Sequence, residues 1–209
     1  FYVHRRDSNI EIEEVTDSLS RLVQKGKTKS IGFSEIAPSS LRRASKIHHI
    51  AAIQSEYSLS TRAPEMGLLQ ACNELGTALV AFSPVGRTFL TDKPLSYDFS
   101  QSLDFTKVNP RFNKPNYDHN IRITDKFRNY AKDIGVASAT LSIAWLLSND
   151  DHIIPIPGTR SVEHLKELVA AIEFDMTDKI KNEIENILPL GWAYGDRYSD
   201  AQWIGPERY

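Results

Sequence analysis

Residues 28–58 read TKSIGFSEIAPSSLRRASKIHHIAAIQSEYS, and this stretch decides the fold. Thr28 to Phe33 reads as a short strand. Pro38 then opens a helix, where a missing N–H costs nothing, and Leu41, Ala44 and Ile47 recur at helical spacing. Ala51 to Ser55 is a second apolar run of strand length. Strand, helix and strand in such close succession make a βαβ unit, with parallel strands and a right-handed crossover.

The same rhythm extends in both directions. Phe1 to His4 reads as a strand, followed by a helix with caps offered by Asp7, Ser8 and Asn9 and an apolar face of Ile12, Val15, Leu19, Leu22 and Val23. Lys25 and Gly26 end that helix. Downstream, Pro64 opens a helix stopped by Gly76, and Thr77 to Phe82 is a strand. Two helices are expected over 121–134 and 139–148, the second capped by Ser138. His152 to Ile156 is a further strand, Val162, Leu165, Leu168, Val169 and Ile172 mark the next helix, and Thr177 caps a last one. Residues 87–120 break the rhythm as a long loop rich in Asp, Ser, Asn and Pro, and residues 191–209 form an irregular aromatic tail.

Strands therefore begin near 1, 28, 51, 77 and 152, in a single domain over residues 1–209. The spacing suits a (β/α)8 TIM barrel, which needs eight strands and typically about 250 residues. With five strands the expectation is a partial barrel, short of its first three units, whose open parallel edges invite association. No Gly-x-Gly-x-x-Gly follows any strand, which argues against a doubly wound nucleotide fold.

Composition narrows the function. The formal net charge of -2 gives no basic field for nucleic acid. No apolar run approaches the roughly 20 residues that span a bilayer. Cys72 is the only cysteine, so no internal disulfide forms, which fits a reducing, cytoplasmic compartment. The histidines show no ligand spacing, so no metal site is expected.

In a TIM barrel, chemistry sits at the carboxy ends of the strands. The first strand delivers His4, a group that orients or polarises a carbonyl oxygen, or a structural histidine. The next two deliver Ser34 and Gln54, whose donors and acceptors suit a carboxamide and equally suit loop anchoring. Phe82 ends the fourth strand as a stacking face or as core. Gly158, Thr159 and Arg160 precede a helix. Free N–H groups and a guanidinium there suit a phosphate, and the same residues also make an ordinary turn.

Taken together, Phe1-Tyr2-Val3-His4-Arg5, Ile31-Gly32-Phe33-Ser34-Glu35, Ile53-Gln54-Ser55-Glu56-Tyr57-Ser58, Ala81-Phe82-Ser83-Pro84-Val85-Gly86-Arg87 and Ile154-Pro155-Ile156-Pro157-Gly158-Thr159-Arg160 resemble the aldo-keto reductase family, in order and spacing, over essentially the whole chain. The resemblance implies a TIM barrel that reduces aldehydes or ketones with NADPH, acting on a small-molecule carbonyl substrate, with the oligomeric state open. It implies that His4 helps hold the carbonyl oxygen and that Ser34 and Gln54, with Glu35 nearby, hold the nicotinamide carboxamide. Phe82 stacks on that ring, and Ser83, Pro84, Val85 and Gly86 follow the pyrophosphate. Gly158, Thr159 and Arg160 meet the 2′-phosphate, and His164 and Glu167 contact the adenosine end. Leu168 stands where relatives often carry Asn, which removes one contact to adenine. The family's Asp, Tyr and Lys would precede Phe1, so the alternative is a catalytically silent NADPH-binding module without the proton-donating Tyr.

Overall fold

The computed structural model describes all 209 residues, Phe1–Tyr209. The strands are β1 (Tyr2–His4), β2 (Gly32–Ser34), β3 (Ala52–Glu56), β4 (Ala78–Phe82) and β5 (Ile153–Ile156). They form one parallel sheet in strict chain order, β1-β2-β3-β4-β5. A parallel sheet whose neighbours are consecutive in sequence is an arc of a barrel. A doubly wound sheet would reverse its order part-way.

The helices are α1 (Ile12–Gln24), α2 (Pro38–Ser45), α3 (Leu68–Leu75), α4 (Tyr97–Ser102), α5 (Asp104–Lys107), α6 (Asn116–Asp133), α7 (Ser138–Leu147), α8 (Val162–Val169) and α9 (Asp178–Ile187). Strand side chains alternate between faces. Phe33, Ile53, Leu79, Ala81 and Ile153 lie buried in one core with Leu41 of α2, Leu68 of α3 and Trp145 of α7. Each large side chain so buried contributes about 1.5–3 kcal/mol. The other face carries His4, Ser34, Gln54, Val80 and Ile154, which stand side by side in register across the sheet. This is the face that turns inward in a barrel.

Several local expectations are corrected. Residues 87–120 are folded: α4, α5 and the start of α6 lie there, around a small cluster of Phe89, Phe112 and Tyr117. Ser96 caps α4 by accepting from the Phe99 N–H, and Asn109 accepts from Arg111 in a 3₁₀ turn. Asp7 does not cap α1. It closes its own turn by accepting from the Asn9 N–H, and Glu11 precedes the helix. Pro64 sits in a 3₁₀ turn, and α3 starts only after Gly67, whose φ of 116° few other residues adopt. Ser138 lies inside α7, and Asp92 caps that helix from the long connection by accepting from the Ser138 N–H and hydroxyl.

The expected apolar face of the helix near 162–172 is not core. Leu168 is buried, but Val162, Leu165, Val169 and Ile172 are exposed. Beside them Ile154 and Ile156 of β5 are exposed too, and at the opposite edge so are Phe1 and Tyr2. As an edge strand, β5 accommodates Pro155, which offers no N–H to a further neighbour.

The candidate cofactor site at the strand ends

The carboxy ends of the strands are locally strained. Every non-glycine residue with positive φ lies just past one: Arg5 after β1, Glu35 after β2, and Ser83, Arg87 and Thr88 after β4. Each such residue costs on the order of 1–3 kcal/mol, and strain of this kind collects where a backbone is held for function. Gly86, at φ 59°, belongs to the same turn, and a Cβ there would come within 2.9 Å of Ser60 Oγ. Pro84, also in that turn, is fixed by its carbonyl, which accepts from Ser142 Oγ at 2.9 Å.

Two groups of expected residues emerge. The first lies along the inner face. His4, Ser34 and Gln54 are register neighbours at the ends of β1, β2 and β3. Phe82, half-buried, pairs with Glu56 one row further on. Ser34 is buried and Gln54 half-buried, while His4 is exposed. Ser55 and Glu56 bond to Glu35, whereas the Ser34 hydroxyl and the Gln54 carboxamide have no partner within the chain. An unspent hydroxyl beside an unspent carboxamide, each able to donate and accept, suits a planar carboxamide.

The second group lines a cleft of about 900 Å³ between the turn after β4 and the start of α8. Val85, Gly158, Thr159, Arg160, His164 and Glu167 all face it, as does Leu168. Ser161 caps α8 by accepting from the His164 N–H, and its hydroxyl donates to Glu163 at 2.6 Å. Arg160 and Lys93, both exposed, also line the cleft. Sequence reasoning missed Lys93, Thr88 and Thr91, which reach the cleft from the long connection. Ser83, Pro84 and Gly86 lie between the two groups, along the backbone that joins Phe82 to the cleft. No three His, Cys, Asp or Glu side chains converge in a metal-holding cluster.

Charge at the mouth was also missed. Glu35 and Glu56 follow β2 and end β3 with carboxylates only 1% exposed. Arg197 of the tail pairs with Glu35, Arg87 holds Glu56 at 2.6 Å, and Arg111 lies 3.7 Å from Glu56. Burial pushes the Arg111 guanidinium down to about 10, with Glu56 opposing the shift, so it stays charged at neutral pH. Of these arginines only Arg87 stood in a strand-end segment of the sequence; Arg111 comes from the long connection and Arg197 from the tail, where no pattern marked them.

A match to the aldo/keto reductase family covers residues 1–189. The chain belongs to the aldo/keto reductase family. It is 37% identical over 198 residues to a probable aldo-keto reductase 1 of Glycine max, covering 95% of this chain and 57% of that protein. It is 35% identical over 201 residues to the aldo-keto reductase yakc [NADP(+)] of Schizosaccharomyces pombe, covering 95% of this chain and 59% of that one. The chain thus spans under two thirds of the length of these reductases. Among solved structures it resembles the glycerol dehydrogenase AKR11B4 of Gluconobacter oxydans, with a TM-score of 0.76 at 23% identity over 90% of this chain and 57% of that one. It also resembles a thermostable aldo-keto reductase solved with the inhibitor epalrestat, with a TM-score of 0.67 at 24% identity over 89% of this chain and 58% of that one. The five-stranded arc is therefore part of an aldo-keto reductase TIM barrel. No helix is long and apolar enough to cross a membrane.

Proposed function

We propose that this chain is the cofactor-binding portion of an NADPH-dependent reductase of aldehydes or ketones. The observation that carries the reading is the pairing of two sites along one line of strand ends: unspent Ser34 and Gln54 at one end, and the Arg160 cleft at the other. A dinucleotide has a carboxamide at one end and, in its 2′-phosphorylated form, an anion at the other. Ser34 and Gln54 would hold the carboxamide, and Phe82 would cover the ring. Ser83 to Gly86 would follow the pyrophosphate, and Gly158, Thr159 and Arg160 would hold the 2′-phosphate, with His164 and Glu167 at the adenosine. When bound, NADPH supplies a hydride to a carbonyl carbon. His4 would steady the carbonyl oxygen by a hydrogen bond. The compartment we propose is cytoplasmic, where a lone buried thiol such as Cys72 stays reduced.

One observation favours a second reading, a module that binds the cofactor without completing the reaction. Tyr57, the tyrosine that follows β3, has its proton committed elsewhere. Tyr57 is buried and donates to Glu65 at 2.9 Å, while burial raises both Tyr57 and Tyr198 above the ordinary tyrosine value. A positioned general acid contributes about 10²–10⁴-fold to rate.

Arg160→Ala separates the phosphate assignment from a general effect. A charge-assisted hydrogen-bonded contact is worth about 1.5–3 kcal/mol, so NADPH binding should weaken by roughly 10- to 150-fold. NADH binding should stay the same. Equal losses for both nucleotides would sink the 2′-phosphate assignment.

A further inference from the structure

Glu35 stands directly after Ser34 in a left-handed conformation, φ 59°, with its side chain buried. Its backbone N–H donates to the Gln54 carbonyl at 2.9 Å. Its Oε1 accepts from Ser55 Oγ at 3.1 Å and from the Glu56 N–H at 3.0 Å. Glu35 therefore ties the end of β2 to Gln54 and to the two residues after it. Its other oxygen faces only Arg197. A carboxylate this deeply buried is costly without a cation beside it.

Arg197 is itself 8% exposed and arrives from the tail, more than 160 residues along the chain from Glu35. Its backbone carbonyl accepts from Arg87 at 3.1 Å and from Asn109 at 2.6 Å, and its guanidinium packs over the Trp203 ring at 4.6 Å. The tail is fastened again ten residues on, where the Glu207 N–H donates to the Glu35 carbonyl at 2.8 Å. The guanidinium is thus delivered to Glu35 by a segment held on both sides. None of these residues lines the Arg160 cleft.

We infer that Arg197 is a positioning residue for the nicotinamide end of the site: through Glu35 it holds Ser34 and Gln54 at the spacing that takes a carboxamide. The Arg197 side chain is thereby coupled to the carboxamide end of the cofactor site, and it lines no part of the Arg160 cleft. This rests on the reading that Ser34 and Gln54 receive the carboxamide.

The test uses the full chain and two probes: NADPH, which reaches both ends, and adenosine 2′,5′-bisphosphate, which reaches only the cleft. Arg197→Met should weaken NADPH at least tenfold and leave the bisphosphate within twofold. It should also speed amide hydrogen exchange at Glu35 and Glu56. Arg197→Lys, which keeps the charge but not the fork, should recover part of both effects. If Arg197→Met does not fold, Glu35→Gln keeps the shape while breaking the ion pair, and should give the same split between probes. A parallel loss of both probes would mean a general structural role and overturn the inference, as would unchanged NADPH binding. If the wild type binds neither probe, the cofactor reading fails by itself. The inference is then decided by exchange alone, and unchanged rates at Glu35 and Glu56 in the variant would overturn it.

Discussion

Replacing Gly32 with Ala challenges the register that sets Ser34 beside Gln54. Gly32 opens β2 on the inner face, two residues before Ser34, and pairs with Ala52. A Cβ there would lie 2.5 Å from the Ala52 carbonyl oxygen and 2.7 Å from the Tyr2 ring. Tyr2 is on an edge strand and can swing outward, but the carbonyl belongs to the backbone of β3 and cannot. Restoring ordinary contact moves the two strands apart by roughly 0.5 Å or more, in a ladder of only three paired positions. Overpacking of this kind costs about 1–3 kcal/mol, and one weakened ladder bond adds about 1 kcal/mol. At about 3 kcal/mol, a chain of this size should lose roughly 6–12 °C in melting temperature by circular dichroism. Gly158→Ala is the internal control, because nothing lies within 4 Å of its added methyl. It should melt within about 2 °C of wild type. A Gly32→Ala chain that melts like the control would refute the close approach of β2 and β3, and with it the placement of Ser34 against Gln54.

Three further outcomes follow from the geometry. Tyr57→Phe removes the donor to Glu65 and the acceptor for Asn149 Nδ2; it should cost about 1–3 kcal/mol in denaturant melts and leave nucleotide binding alone, and an unchanged midpoint would contradict the pairing. Burial alone would raise the Glu207 carboxyl, but hydrogen bonds from Ser40, the Ala37 N–H and Arg6 together hold it below its ordinary value. A depressed carboxylate stabilises above its unfolded pKa of about 4.3 and stops doing so as pH falls through the folded value; tail residues 196–209 should therefore lose hydrogen-exchange protection, measured against the intrinsic rate at each pH, on acidification below about pH 4.3, and Glu207→Gln should flatten that dependence, identical protection curves for the two chains counting against it. The exposed Val162, Leu165 and Val169 beside the open β5 edge should drive self-association, measurable by sedimentation; Leu165→Lys with Val169→Lys should reduce it, and a wild-type chain that sediments as a sharp monomer at all concentrations would contradict this.

The strand order was legible because each strand after the first is an apolar run closed by Pro or Ser, and because residues 28–58 hold a complete unit. That made the mouth legible too: Ser34, Gln54 and Phe82 were found by asking what each strand delivers at its end. The short helices after β4 were not legible, since α4 and α5 have six and four residues and cannot show a helical period. The cap on α7 was misassigned to Ser138 because the true capping group, Asp92, lies 46 residues upstream. The face of α8 carries a core-like pattern, yet those side chains are exposed here. Pattern reports what a helix is suited to bury, and a neighbouring element decides whether it is buried. Glu35 and Glu56 were visible as strand-end carboxylates, but a sequence does not show that Arg197, Arg87 and Arg111 converge on them.

The most direct measurement is a titration of this chain with NADPH, followed through the fluorescence of Trp145, Trp192 and Trp203, with NADH in parallel. Saturable quenching, tighter for NADPH than for NADH, is the result the account predicts. The absence of saturable quenching by either nucleotide would contradict it, and would leave an aldo-keto reductase barrel segment whose strand ends do not hold the cofactor.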